Sequence, residues 1–497
     1  MRRALPAVLI ALVVLSFARL HAAPPTIVIA SKQDTEGQIL AEVFAQLIEA
    51  RTPYAVERKT NLGGTLLVFQ ALRSGSVDAY PEYTGTIDAT ILHGTLSFDG
   101  IRAAMEQRYG IFVSDELGFN NTYVLAMKAE TARQLGIRRI SDLAAHPDLR
   151  WGVTPEFLRR SDGLPGLERA YGLGTVDAVD LEKSLAYQAL ARGAIQVTDA
   201  YSTDGQLLRY GFVTLQDDRH FFPGYRALYL VRDGTLRAAP DLRGVLHALA
   251  GTIDDRTMTA MNARVDIARE SPDEVAAQFL AQRLHVTRAR AADSTFSRLM
   301  RALLRHIELT FVALLFAVLF GVPLGILAAA HAGAGRAIMK VVGTLQTVPS
   351  IALLALMIPL FGIGVLPAVV ALVLYGLLPI VANTLAGLRQ IPSELLDAAE
   401  GIGLSPRQAL AWVRLPLALP FILAGVRTSA VIAVGTATIA ALIGAGGLGD
   451  FILTGLTLND PATLLLGAVP AALLAIVVDE LVYRLGLLVR PRGLDRA

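Results

Sequence analysis

Residues 393–416, SELLDAAEGIGLSPRQALAWVRLP, form a polar stretch between two long apolar runs. The first half begins with Ser393, a residue type that caps helices, and its apolar residues recur at helical spacing. Gly401 and Gly403 allow a sharp corner, because glycine adopts backbone conformations that other residues disfavour. The second half opens at Ser405 with the pattern of a capping box. The stretch therefore predicts two short helices joined by a tight turn, protruding from a membrane, which we call the knuckle.

The knuckle contains an acidic residue followed by two alanines, then a glycine, and it closes on a hydrophobic-x-Leu-Pro sequence. This order and spacing resembles the "EAA" cytoplasmic loop of bacterial ABC importer permeases. The family usually has Glu where Asp397 stands, and Asp is the shorter acid and the weaker helix former. An ordinary amphipathic hairpin between membrane spans is the alternative. The resemblance implies that the knuckle contacts a separate cytoplasmic ATPase, of which the complete transporter would contain two copies. The coupling residues would be Asp397, Ala398, Ala399, Gly403, Leu415 and Pro416.

Long apolar segments surround the knuckle and predict an all-α polytopic domain at 301–490, embedded in membrane lipid. A helix needs roughly 20 apolar residues to cross a bilayer, and the second segment reaches that length only with 341–349. Basic residues cluster in the loop 331–340, in the knuckle and around the tail 491–497, which the positive-inside rule places in the cytoplasm. The five segments are 307–330, 351–361, 366–388, 417–443 and 464–489.

Two acidic residues, Asp479 and Glu480, interrupt the last apolar segment. Carboxylates inside membrane spans can relay protons, but these two lie near the predicted cytoplasmic end, beside Arg484. Pairing or an interfacial position is therefore the preferred interpretation, with a proton relay as the alternative.

The first 23 residues combine Arg2, Arg3, an apolar run and a small-residue ending, which is the outline of a secretory signal peptide. His21 fits poorly at the third position before a cut after Ala23, so an uncleaved N-terminal anchor is the alternative. Either segment would deliver the next domain to the periplasmic or extracellular side of the membrane. Residues 286–300 are basic and rich in small side chains, and they predict a linker into the membrane.

Residues 24–285 alternate between strand-like and helix-like patterns, which predicts an α/β domain with a mostly parallel sheet. Its length suggests two lobes, with the ligand in the cleft at the carboxyl ends of strands. We assign lobe 1 to about 26–122 and 223–285, and lobe 2 to about 123–222. The segments that cross between the lobes would act as the hinge.

Several loops at predicted strand ends resemble the substrate-binding proteins of choline, glycine betaine and related quaternary-amine importers. Two positions depart from that family: Asp34 stands where an aromatic residue is usual, and Gly224 replaces a proline. The resemblance implies a two-lobed periplasmic-binding-protein fold of type II-like form, followed by an ABC importer permease domain. The matching loops are 31–36, 62–65, 80–86, 119–123 and 199–205, with the related segment 222–225.

The aromatic content of these loops agrees with a cation ligand, because 11 of the 13 tyrosines lie between Tyr54 and Tyr229. A quaternary ammonium cannot donate hydrogen bonds and is held by aromatic ring faces, each contributing roughly 0.5 to 2 kcal/mol. For any single tyrosine, a half-buried core position is an equally good interpretation. Tyr80, Tyr109, Tyr171 and Tyr187 are assigned to such core positions. The predicted cage is Tyr83, Tyr123, Tyr201 and Tyr225, with Thr65, Asn120 and Gln33 as polar partners.

Composition excludes several other functions. The chain has 45 basic and 43 acidic residues, which is too balanced for a nucleic-acid-binding protein. It has no cysteine, no Gly-Lys dipeptide for a phosphate-binding Walker loop, and no metal-ligand spacing such as HExxH. The chain is therefore expected to have no enzymatic activity, metal or bound cofactor, and to use ATP only through its partner ATPase.

These patterns together predict the receptor and permease subunit of an ABC importer for quaternary ammonium osmoprotectants. One five-span segment with one knuckle supplies half a transport pathway, so a homodimer is expected. The alternatives are a ligand-gated channel and a membrane-anchored receptor for small amines. A channel resembling glutamate receptors would interrupt the receptor with the pore, whereas here both lobes precede every span.

Overall fold

The computed structural model describes residues 25–94, 96–287, 294–458 and 460–489. The predicted signal peptide or anchor at 1–23 and the predicted tail at 491–497 lie outside the described residues. Within the described part, an α/β domain comes first and a bundle of long apolar helices follows it. Thr295–Met300, which the sequence assigned to the linker, is already helical, since the Ser294 side chain caps the helix by accepting from Ser297 N at 3.2 Å.

Lobe 1 is built on a five-stranded sheet in the order β2-β1-β3-β10-β4. β1 runs parallel to β2 and β3, whereas β10 is antiparallel to both of its neighbours. The prediction of a mostly parallel sheet is therefore wrong, because the chain returns from the second lobe and inserts β10 between two earlier strands. The strands are β1 Thr26–Ala30, β2 Ala55–Lys59, β3 Ala79–Tyr83, β4 Ile111–Val113 and, after the second lobe, β10 Ala227–Arg232.

Lobe 2 contains two small sheets. The larger is antiparallel, in the order β8-β5-β9, and the smaller pairs β6 with β7 in parallel. An isolated bridge between Trp151 and Val197 joins the small sheet to the segment that leads into β8. The strands are β5 Tyr123–Lys128, β6 Trp151–Val153, β7 Ala178–Asp180, β8 Thr198–Tyr201 and β9 Phe212–Thr214.

Helices cover the sheets of both lobes. The helix Thr35–Arg51 is almost wholly buried in the centre of lobe 1, and Asp34 caps it by accepting from Gly37 N at 2.6 Å. The other helices of this domain are Thr65–Ser74, Thr84–Thr86, Ile87–Leu92 (π), Phe98–Tyr109, Ala129–Leu135, Ile140–Ala145 (3-10), Pro155–Arg159, Leu164–Tyr171, Lys183–Arg192, Gly205–Tyr210, Asp233–Ala238, Leu242–Leu249, Asp255–Asp266 and Pro272–Leu284.

Two chain segments cross between the lobes side by side. Asn120 and Arg226 form an isolated antiparallel bridge, and Asn121 N donates to Tyr225 O at 3.0 Å. The backbone N–H of Asn120 also donates to the Asp255 carboxylate of lobe 1 at 2.9 Å. The crossing therefore lies directly beside Tyr225 and Tyr123, at the point where the two lobes meet.

Four described helices are long and apolar enough to span a membrane, and a bent pair adds a fifth span if it is counted as one. The pair bends by 101° between Thr347 and Ser350, at the segment that includes Pro349. Three of the five predicted apolar segments lie within these helices, whereas 417–443 and 464–489 extend past the ends of their spans at Ala437 and Leu487. The spanning helices are Thr295–Ala330, the pair Ala332–Thr347 and Ser350–Phe361, Val365–Arg389, Pro406–Ala437 and Pro461–Leu487.

The binding domain and the knuckle lie at opposite ends of this bundle. Ile363 N donates to Ser76 Oγ of lobe 1 at 3.3 Å, which places the start of Val365–Arg389 against the binding domain. That helix has 25 residues and is therefore about 37 Å long, enough to carry the chain to the far end, where the knuckle follows. The bent pair starts where Thr295–Ala330 ends and returns to Gly362, beside Ser76, so it also crosses the bundle.

The knuckle has the predicted form of two helices and a corner. Its helices are Ser393–Gly401 and Pro406–Ala409, the second of which continues through the π-helical turn Leu410–Arg414. Ser405 N donates to Gln408 Oε1 at 2.9 Å, which confirms the capping box. Ser393 is the first helical residue rather than the cap, because the helix begins directly after Pro392.

Both lobes contact the permease helices. A single apolar cluster runs from the helix Thr65–Ser74 of lobe 1 into Ser350–Phe361 and neighbouring helices. The Leu62 side chain lies against Gly444, and Asn61 Nδ2 donates to Thr454 Oγ1 at 3.4 Å. In lobe 2, the helix Lys183–Arg192 approaches the permease helix Gly449–Thr457. The receptor is thus packed onto the permease as well as tethered to it.

The remaining described elements of the permease domain are the 3-10 turn Ile439–Ile443 and the last helix, which extends over Pro461–Val489. Asp479 in this helix forms a bidentate ion pair with Arg427 of Leu415–Ala437. Glu480 pairs with Arg484 at 2.6 Å. Each acid has a basic partner, so the preferred interpretation of pairing agrees with the geometry.

Candidate functional site

Three of the four predicted cage tyrosines meet at the junction of the lobes. The ring centroid of Tyr123 lies 5.0 Å from that of Tyr201 and 5.6 Å from that of Tyr225, the latter edge-on at 89°. Phe157 and Phe222 extend the cluster at 5.1 and 5.9 Å from Tyr123. β5 and β8 position two of these rings, because Tyr123 and Tyr201 are cross-strand partners. Several aromatic rings therefore pack together beside the hinge, and aromatic rings are the groups that attract a quaternary ammonium.

Tyr83 stands apart from that cluster, and among the described residues it makes no ring contact with the other three tyrosines. Its ring faces the ammonium of Lys32, whose Nζ lies 4.9 Å from the ring centroid. Lys32 in turn pairs at 2.6 Å with Glu82, a fully buried carboxylate. The Tyr83 hydroxyl donates to Glu36 at 2.6 Å. The structure thus gives Tyr83 polar partners on both its hydroxyl and its ring.

Tyr225 is held at both ends. Its amide donates to the side-chain oxygen of Asn120 at 2.6 Å, and its hydroxyl donates to Asp162 at 2.5 Å. Gly85 gives the ring room, since a Cβ there would lie 2.7 Å from two ring carbons. Arg160 Nε donates to Asp162 at 2.7 Å. Burial would raise the pKa of Asp162, but its pKa lies below the usual range because the Arg160 and Tyr225 hydrogen bonds favour the carboxylate.

Glu36 is the centre of a polar network that joins the lobes. Its carboxylate accepts from Tyr83 Oη at 2.6 Å, Asn121 Nδ2 at 2.8 Å, Thr203 Oγ1 at 2.6 Å and Asn262 Nδ2 at 2.8 Å. Thr203 belongs to lobe 2, Asn121 to the crossing segment, and the other donors to lobe 1. Burial raises the pKa of Glu36 above its usual range, and the hydrogen bonds from Thr203, Tyr83 and Asn262 oppose that rise. One buried carboxylate therefore connects residues of lobe 1, lobe 2 and the crossing segment.

The three predicted polar partners have different surroundings. Asn120 uses its side-chain oxygen to accept from Tyr225 N, so it positions a cage residue. Thr65 is buried, and its hydroxyl has no hydrogen-bond partner within the described residues. Gln33 is half-buried, and its backbone oxygen accepts from Gln38 at 3.3 Å. The structure brings Asn120 to the aromatic cluster and shows no such contact for Thr65 or Gln33, whose ligand role stays a prediction.

The tyrosines assigned to core positions have structural partners. Tyr187 is buried and donates to Asp204 at 2.5 Å, and Tyr171 is buried and donates to Asp217 at 2.5 Å. Tyr80 is also fully buried, and Tyr109 packs edge-on against Phe69 with ring centroids 5.2 Å apart.

Sequence reasoning gave no role to several charged side chains that contact the four predicted cage tyrosines. Glu36 and Lys32 lay in the quoted motif 31–36, so their position was a signal that could have been used. Lys183 and Arg160 lie in segments without a motif, yet their cationic groups stand 4.5 Å from the Tyr201 centroid and 5.8 Å from the Tyr123 centroid. The described residues hold no cluster of three or more His, Cys, Asp or Glu side chains that could bind a metal.

The knuckle presents an exposed apolar surface next to its acidic residue. Ile402 and Trp412 are 77% and 64% exposed. Of the predicted coupling residues, Asp397, Ala398 and Gly403 are exposed, whereas Ala399 is buried. The other two, Leu415 and Pro416, are half-buried at the start of the following span.

Comparison with protein families gives two matches on one chain. Residues 25–282 match the family described as the substrate-binding domain of ABC-type glycine betaine transport systems. Residues 321–492 match the family described as the inner membrane component of binding-protein-dependent transport systems.

Three characterised relatives cover different parts of the chain. The choline transport system permease protein OpuBB of Bacillus subtilis (strain 168) is 45% identical over 38% of this chain and 88% of its own length. The glycine-betaine-binding protein of Pseudomonas aeruginosa is 34% identical over 52% of this chain and 88% of its own length. The ergothioneine transport permease/ergothioneine binding protein EgtU of Helicobacter pylori (strain G27) is 32% identical over 51% of this chain and 47% of its own length.

Proposed function

Because the chain belongs to the glycine betaine family of ABC transport systems, as a substrate-binding domain fused to a permease domain, we propose that it imports quaternary ammonium compounds. Glycine betaine, choline, carnitine and similar osmoprotectants are the ligands that fit this proposal. The observation that carries it is the convergence of Tyr123, Tyr201 and Tyr225 at the lobe junction. Such rings attract a cation that cannot donate hydrogen bonds.

Transport requires energy from outside this chain. The knuckle's exposed apolar side chains, at the end of the bundle opposite the binding domain, suit a cytoplasmic ATPase as partner. Two copies of this chain and two ATPase subunits would make the complete transporter, with the binding domains on the periplasmic or extracellular side of a bacterial inner membrane. ATP-driven closure of the ATPases would move the knuckle and its spans, opening the pathway toward a docked receptor. This arrangement favours import over the ligand-gated channel and the anchored receptor.

We expect the intact chain in lipid nanodiscs to bind trimethylammonium compounds in a calorimetric screen of glycine betaine, choline, carnitine and ergothioneine beside ordinary amino acids. Tyr201→Ala should weaken binding about ten-fold, because it removes a ring worth on the order of 1 to 2 kcal/mol. Tyr201→Phe should cost less, since the ring stays and the hydroxyl contacts only Tyr123 Oη at 3.4 Å.

Tyr210→Ala is the matched control, because this ring stacks on Phe212 in lobe 2, away from the cluster. It should leave ligand affinity close to that of the unmodified protein. A receptor that takes an amino acid and ignores every quaternary amine would refute the proposed ligand class.

The covalent link between the receptor domain and the permease domain leads to a second prediction. A receptor attached by a short linker has an effective concentration at the permease of roughly millimolar or more, so no soluble receptor should be needed. Vesicles that contain only this chain and its ATPase should therefore take up radiolabelled ligand on addition of ATP. Uptake that depends on an added soluble binding protein would show that the fused domain has a regulatory role instead.

A further inference from the structure

The aromatic cluster already holds a cation supplied by the protein itself. Lys183 Nζ lies 4.5 Å from the ring centroid of Tyr201, within the distance of a cation–π contact. The same ammonium pairs at 2.5 Å with Asp204, which lies three residues after Tyr201 in the segment that follows β8. Tyr123 packs against the same ring. A ligand ammonium that used this ring would therefore meet the lysine there.

The lysine reaches solvent with part of its side chain, although its ammonium is held by an ion pair with a buried carboxylate. Its side chain is 33% exposed, whereas Asp204 is buried. Asp204 keeps two other partners, since it accepts from Tyr187 Oη at 2.5 Å and from Gln206 N at 3.0 Å. The buried carboxylate would thus remain hydrogen-bonded when the ammonium swings toward solvent.

Lys32 offers a useful contrast on the other side of the cleft. Its ammonium lies 4.9 Å from the Tyr83 ring centroid, but it is paired with Glu82, which is fully buried and has one oxygen without any partner in the described residues. Without Lys32, the buried Glu82 carboxylate would keep one hydrogen bond among the described residues, from Tyr83 N at 3.1 Å, whereas Asp204 without Lys183 would keep two. Lys32 is therefore a fixed part of the structure, and Lys183 is the exchangeable cation.

Charges of lobe 1 influence the Lys183 ammonium, and a permease helix lies close to the helix that carries this lysine. Asp266 and Asp34 of lobe 1 add to the negative field at its ammonium. Lys183 is also the first residue of the helix Lys183–Arg192, which approaches the permease helix Gly449–Thr457. Closure of the lobes and contact with the permease can therefore both influence where this ammonium stands.

We propose that Lys183 is a built-in competitor that occupies the Tyr201 ring in place of the ligand's quaternary ammonium, lowering ligand affinity and speeding release into the permease. The proposal rests on the proposed function, because it takes the ligand to be a quaternary amine. Its consequence is opposite to that of a binding residue: removing the lysine strengthens ligand binding.

The test is Lys183→Met in the full chain in nanodiscs, with affinities and dissociation rates measured for glycine betaine and choline. Both ligands should bind about 2- to 30-fold more tightly and dissociate more slowly, which is the range of one cation–π contact. Lys183→Arg should stay near the unmodified protein, because it keeps a cation on the ring. Lys128→Met is the matched control: that lysine is in the same lobe and donates to Ala191 O at 3.1 Å.

A second variant controls for the loss of the ion pair, because Lys183→Met alone leaves Asp204 without its basic partner. Lys183→Met combined with Asp204→Asn keeps the pair neutral and should tighten binding in the same way. Unchanged affinity in both variants overturns the proposal and leaves the proposed function intact. Weaker binding of glycine betaine with unchanged choline binding also overturns it, since the lysine would then contact the ligand carboxylate. If the unmodified protein binds no quaternary amine, the proposed function itself fails, and this proposal with it.

Discussion

Gly403→Val should abolish ligand-stimulated ATP hydrolysis by the reconstituted transporter while leaving ligand affinity unchanged. Gly403 forms the corner of the knuckle with φ of +83°, a conformation that costs a residue with a side chain about 1 to 2 kcal/mol, and more when it is β-branched. No atom lies within 4 Å of a Cβ built there, so the strain is purely conformational. The exposed corner would relieve it by turning one helix against the other, which would change the relative positions of Ile402 and Trp412 on the proposed ATPase-binding surface.

Gly401→Val provides the control two residues earlier. Gly401 also has open space around it, but it is helical and has no positive φ. This change should be neutral or slightly stabilising, by roughly 0.5 kcal/mol or less, because valine has a higher helix propensity than glycine. ATP hydrolysis that responds to ligand equally well in both variants would remove the knuckle from the coupling mechanism.

Loss of the Glu36 network should open the receptor. In Thr203→Val the shape of the side chain is kept, but the 2.6 Å hydrogen bond that crosses from lobe 2 to Glu36 disappears. A hydrogen bond to a charged group is worth about 1.5 to 3 kcal/mol, so ligand affinity should fall roughly 10- to 100-fold. Glu36→Gln should lower ligand affinity at least as far, because a neutral side-chain amide would then face the four hydrogen-bond donors that now surround the carboxylate.

The measurement combines calorimetry with the distance between dyes on the two lobes. The chain has no cysteine, so one introduced in each lobe labels only the intended positions. Thr198→Val is the matched control, since its hydroxyl donates only to Asp199 O at 3.3 Å within lobe 2. Closed lobes and unchanged affinity in Thr203→Val would show that the network plays no part in closure.

Local features of the fold were predictable because local residues determine them. Ser405 and Gln408 lie three residues apart, and their capping box formed as expected. Tyr123 and Tyr201 end in one cluster because each adjoins a strand with a clear sequence pattern. The insertion of β10 between β3 and β4 depends instead on a return from the second lobe, which no local pattern specifies.

Long-range partnerships explain what was missed in the site. Glu36 was visible in its motif, but its donor Asn262 lies 226 residues further along the chain. The cage role of Tyr83 stays a prediction, and the contacts of its ring with Lys32 and of its hydroxyl with Glu36 could not be read from its sequence setting. Which of two identical side chains faces the ligand is decided by such contacts, and one sequence does not contain that information.

The packing of the receptor onto its own permease has a consequence for the cell. One gene fixes one receptor for every permease domain, so receptor cannot be produced in excess and kept as a reservoir of captured ligand. In the proposed importer, a sudden rise in demand could be met only by making more complete transporters. Such a design gives up the storage of captured ligand. In return, each captured molecule is already beside a permease and does not have to diffuse to reach one.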